Sequence, residues 1–212
     1  MVLLERPSSS RRHERGRRSS MGWQSEQYGD AHEGYAGAAL PGGAEPKPQY
    51  FDMGSSGHVP STREWWAYDG KGRRPLAEGM RAYCSCGWRA VGVHPIDWGQ
   101  VAVDGAALTD ESRPLEDWEQ HIDEVDAAAA VVPPELLGMI EQFGAGLADL
   151  ADSEPLAALR AVAALELLTA RTARAAAHNL QADGLEDEAV AAGLGLPAQQ
   201  ARSRVLRYRL GR

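Results

Sequence analysis

Cysteine is almost absent from these 212 residues: there are two, Cys84 and Cys86. A disulfide framework is thereby excluded, and a bond between the two would close a tight, strained ring. Long apolar runs are also missing. The longest, Ala127 to Val132, falls far short of a membrane span. No apolar segment of the secretory type follows the basic N-terminus, so the expected compartment is the cytoplasm, without a membrane partner. No internal repeat is visible, and no motif names a reaction, so the chain reads as a non-enzyme.

What is present is ordinary for a soluble domain of moderate size: 43% hydrophobic and 25% charged residues. The net charge of −8 is unevenly spread. Residues 1–20 carry six Arg and two Glu, and residues 197–212 carry five Arg and no acid. An acidic body with a basic C-terminal end predicts that an anionic partner meets that end. The same arginines also suit a solvated helix terminus, where they favour the dipole.

Composition divides the chain into three. Residues 1–48 read as a disordered tail: Ser/Arg-rich at first, with Met21 a second candidate start, then Gly/Ala-rich with Pro41, Pro46 and Pro48. Residues 49–132 read as a small aromatic-rich module holding five of the six tryptophans. Short strands are expected at Tyr50–Met53 and Glu64–Tyr68, and a hairpin whose arms, Met80–Tyr83 and Trp88–Val91, flank the cysteines. Trp118, Ile122 and Val125 at i, i+4 and i+7 predict a helix over 116–125. Residues 133–212 read as helical: one helix over 134–150, a second capped by Ser153 and running to about Leu180, then two short helices broken at Gly193–Leu196. The expected class is α+β.

The chemistry concentrates in Tyr83-Cys84-Ser85-Cys86-Gly87-Trp88. Two thiolates can reach one ion only around a sharp turn, and glycine after the second Cys can take φ > 0 and turn N–H groups towards the sulfurs. This predicts half of a structural zinc site. His121, one turn after Trp118 on the predicted helix, is the third expected ligand. His94 is the expected fourth, with His58 and Asp97 as alternatives. The competing reading makes Cys84 and Cys86 small buried hydrophobes. A zinc hydrolase using His94 and Asp97 is a more distant alternative.

Cys84-Ser85-Cys86-Gly87-Trp88-Arg89, then Pro95-Ile96-Asp97-Trp98, then Asp117-Trp118-Glu119-Gln120-His121-Ile122 resemble a group of uncharacterised actinobacterial proteins. That group pairs a CxCGW turn with a downstream W-x-x-H. The resemblance covers roughly residues 55–208, implies a shared module with Cys84, Cys86 and His121 as one site, and brings no known activity.

Residues 186–208 are similar to a helix-turn-helix. Val190 falls at the buried position of the first helix, Ala191 at the small residue of the crossing and Gly195 at the left-handed turn position. Leu196, Ala201 and Val205 would face inward. Gln199, Gln200, Arg202, Ser203, Arg204 and Arg207 would remain for base edges and phosphates. Pro197 stands where the motif prefers a capping Ser, and Glu186, Asp187 and Glu188 place negative charge where phosphates would pass. The alternative is a helical hairpin that only packs. The sequence thus predicts a small DNA-associated or regulatory protein with a structural zinc, with a homodimer possible on the long helices; the alternative is a protein–protein adaptor without DNA contact.

Overall fold

Small residues build the centre of this fold. The computed structural model describes residues 22–51 and 61–211. Its strands are β1 (Trp23–Ser25), β2 (Gly29–Ala39), β3 (Gln49–Tyr50), β4 (Ser61–Thr62), β5 (Gly79–Cys84) and β6 (His94–Pro95). Its helices are α1 (Trp98–Asp104), α2 (Ser112–Ala128), α3 (Pro134–Ser153), α4 (Pro155–Ala182), α5 (Asp187–Gly193) and α6 (Ala198–Leu210). The class is α+β. A curled antiparallel sheet runs in the order β1-β2-β5-β6, and β3 pairs with β4 separately.

β2 and β5 form the middle of the sheet, in register at Gly34 with Cys84, Ala36 with Ala82 and Ala38 with Met80. The period of two places His32, Gly34, Ala36 and Ala38 on one face of β2. Because those side chains are short, large groups can lie flat on them. At Gly34 a Cβ would come within 2.5 Å of the Trp118 indole, so only glycine admits that ring. Trp118, Ala82, Cys84 and Ala90 make one buried cluster under α2. Towards the other end of the same face, Ala36, Ala38 and Met80 pack with Trp65, Ala67 and Tyr68. Trp65 donates its indole N–H to Glu111 at 2.8 Å, and Tyr68 its hydroxyl to the Lys47 carbonyl at 2.7 Å, so neither ring buries an unmet donor.

Four expectations are corrected. The tail expected over residues 1–48 contains β1 and β2, and β2 is a central strand; residues 1–21 lie outside the described part. Glu64–Tyr68 is not a strand: Trp65–Ala67 form a single 3-10 turn that drives Trp65 into the core. Of Tyr50–Met53, Tyr50 belongs to β3 and Phe51 lies outside any strand, while Asp52 and Met53 lie outside the described residues. Ser153 does not cap α4; it closes α3 and donates its hydroxyl to the Asp149 carbonyl at 2.9 Å. Beyond Cys84 the chain turns back, with the Cys84 N–H on the Trp88 carbonyl and the Ala90 N–H on the Ala82 carbonyl.

The C-terminal helices are not detached. Ala191, Leu196 and Ala201 bury themselves with Ala31 of β2, and the Ala130 N–H after α2 donates to the Gly193 carbonyl at 2.8 Å. α4 packs against both α3 and α6. Gly195, between α5 and α6, is left-handed (φ 59°) and lies against the Tyr28 ring. No helix among the described residues is long and apolar enough to cross a membrane.

Candidate metal centre

Cys84 ends β5, and the turn after it aims both sulfurs to one side. Gly87 takes φ 97°, which lets its N–H donate to the Cys84 carbonyl at 2.9 Å. The following N–H, of Trp88, then faces the Cys86 sulfur at 3.4 Å. Ser85 ties the turn to β2: its hydroxyl donates to the Asp30 carbonyl at 3.0 Å and accepts the Glu33 N–H at 2.9 Å.

Two imidazoles close on those sulfurs, one from α2 and one from β2, their ring centroids 5.4 Å apart. His121 comes from α2, three residues after Trp118 and on the same buried face. Its ring stacks on Trp88 with centroids 4.3 Å apart and planes within 5°, and its Nε2 lies 3.3 Å from Cys86 Sγ. His32 comes from β2, with Nδ1 3.5 Å from Cys84 Sγ. The four donor atoms of His32, Cys84, Cys86 and His121 lie within 4.8 Å of one another, so this group could hold a metal ion. His32, Cys84 and His121 are buried, at 3%, 5% and 7% exposure.

The spacing suits zinc. Bonds of about 2.3 Å to sulfur and 2.0–2.1 Å to nitrogen place neighbouring S and N vertices of a tetrahedron roughly 3.6 Å apart. The two S···N separations, 3.5 and 3.3 Å, are close to that edge. Two thiolates and two imidazoles are also the donor set zinc favours.

The outer contacts fix which atoms would bind. A carbonyl can only accept, so the 3.1 Å contact between His32 Nε2 and the Gly195 carbonyl puts the proton on Nε2. Nδ1 then presents its lone pair to Cys84. The Cys84 thiol is held down to about 4, chiefly by a hydrogen bond from the Cys86 side chain, against the effect of burial. The same bond and burial push the Cys86 thiol up. A thiolate and an imidazole lone pair facing each other repel unless a proton or a cation lies between them.

Of the expected ligands, the structure brings together Cys84, Cys86 and His121 and adds His32, which the sequence reading left in a tail. His94 is not in the group. It sits on β6 with Nε2 2.8 Å from Asp117 Oδ2, a pairing that holds it at the outer side of α2. Asp97 caps α1 by accepting the Gln100 N–H at 3.0 Å, and His58 lies outside the described residues.

On α6, Gln199, Gln200, Ser203 and Arg207 are exposed, Gln199 and Ser203 on the side opposite buried Ala201 and Gln200 and Arg207 on its flank. Arg202 is exposed but bonded to Asp187 at 2.6 Å, and Arg204 is half-buried. No protein-family model, curated protein or solved structure matches the chain.

Proposed function

We propose that this chain is a non-enzymatic, zinc-binding regulatory protein that associates with DNA through α6, the zinc serving structure. The observation that carries the reading is the double engagement of His32, with Nδ1 at Cys84 and Nε2–H on the Gly195 carbonyl. A zinc ion on His32, Cys84, Cys86 and His121 would join β2, β5 and α2, and its outer contact would hold the turn between α5 and α6. Four protein donors fill a tetrahedron, whereas a catalytic zinc keeps a position open. His94 and Asp97, the groups a hydrolase would need, are engaged elsewhere. The resemblance to actinobacterial CxCGW proteins fits the same reading, since its three motif residues are among the four that meet.

The DNA part treats α5 and α6 as a helix-turn-helix. Gln199 and Gln200 would read base edges, and Arg207 would neutralise phosphate. The Asp187–Arg202 pair removes one positive charge from that surface and offsets one of the three acids at the start of α5. Selection of genomic DNA fragments at near-physiological salt, with excess competitor, tests the reading. The chain should enrich one discrete sequence. Gln200→Ala should weaken that binding by about 1–3 kcal/mol, and Arg207→Ala should make its salt slope shallower by about 1. No enrichment would remove DNA from the account. The second reading, a protein–protein adaptor, is favoured by the apolar side chains left exposed on α3 and α4.

A further inference from the structure

Helices α3 and α4 leave far more apolar surface uncovered than a two-helix hairpin can sustain alone. α3 buries no residue, and α4 buries only Ala158 and Ala177. Met139, Ile140, Leu156, Leu159, Leu167 and Leu168 are each 58–83% exposed. Monomeric proteins rarely expose apolar patches beyond a few hundred Å². Gly138, Gly144 and Gly146 add to the problem. Each lies inside α3 with nothing near the place a Cβ would occupy, and each costs the helix about 1 kcal/mol relative to Ala. A helix so weakened needs packing, and within the described chain α3 packs chiefly on α4.

The charges say what covers this face. α3 carries Glu135, Glu141, Asp149 and Asp152 and no base; α4 carries Arg160, Arg171 and Arg174 against the single acid Glu166. Among the described residues no ion pair joins the two sets. An acidic helix beside a basic one, with both sets unspent, is self-complementary under a two-fold axis. The acidic helix of one copy meets the basic helix of the other, and the same contact repeats. A partner of one charge sign would match one helix and be repelled by the other.

We propose that the α3–α4 hairpin is the surface on which two copies of this chain associate, α3 of one copy lying against α4 of its partner. Neither metal nor DNA enters this contact, so the dimer stands or falls separately from the function proposed above. Sedimentation equilibrium of the full chain tests it. The wild type should be a dimer in the micromolar range. Arg160→Glu with Arg171→Glu, and separately Glu141→Arg with Asp149→Arg, change only exposed positions; each pair should weaken self-association about tenfold or more. Mixing the two charge-reversed proteins should restore a heterodimer. Leu159→Ser should weaken association without altering charge. A wild type that stays monomeric at high micromolar concentration would overturn the proposal and leave the face to a different protein. So would a dimer indifferent to both reversals, or a mixture that fails to recover association.

Discussion

His32 does two jobs with one ring: Nδ1 faces Cys84, and Nε2 donates to Gly195. Tyr28 stands beside it, with ring centroids 5.4 Å apart, and donates its hydroxyl to Asp126 at 3.0 Å. Burial, then the Asp126 hydrogen bond and charge, raise the Tyr28 phenol to about 12. An unfolded chain loses that proton near pH 10, so between pH 10 and 12 the folded state binds more protons than the unfolded one. Stability should therefore fall with rising pH across that window. Urea midpoints recorded from pH 9 to pH 12 should drop more steeply for the wild type than for Tyr28→Phe, and equal slopes would show that this bond adds nothing. Gly195→Ala should cost about 1–3 kcal/mol, because alanine there must hold a left-handed φ and its Cβ would run into the Tyr28 ring. Chemical denaturation reads that loss directly.

At the scale of elements, the cysteine turn, His121 on its helix and the order of helices α2 to α6 were legible in the sequence, whereas α1 was not anticipated. CxCG carries its own turn chemistry, and Trp118 and His121 share a face at helical spacing. β2 was not legible. Its buried positions are Ala31, His32, Gly34 and the run Ala36–Ala39, residues of low strand propensity with no apolar alternation to mark them. Their smallness is what lets Trp118 lie on the strand, so the property that makes β2 central also hides it. The available signal was chemical: a third ligand without a fourth, and His32 among the few histidines in the chain. His94 was misleading because a histidine close to the cysteines in sequence can be taken by a nearer carboxylate, here Asp117. Glu64–Tyr68 was misread because aromatic density resembles a strand, whereas two adjacent tryptophans on a 3-10 turn point different ways. If the centre ties these elements together, chelation should raise amide exchange at residues 82–88 and 193–197 in concert. Hydrogen–deuterium exchange of the α3–α4 hairpin should change little. Exchange confined to residues 82–88 would break the proposed link to the α5–α6 turn.

For the whole molecule, the sheet, α2 and the α5–α6 turn meet at one group of four side chains, three buried and Cys86 half-buried, while α3 and α4 stand apart from it. A structural zinc in small domains supplies folding free energy of about 10–16 kcal/mol in peptide systems, enough to decide whether a Gly/Ala-built sheet keeps its shape. The most direct measurement is zinc stoichiometry by native mass spectrometry on the full chain and on His32→Ala and His94→Ala. One zinc per chain should be found in the wild type and in His94→Ala, and none retained in His32→Ala. A wild type that takes up no zinc, or a zinc that survives loss of His32 and leaves with His94, would contradict the centre described here.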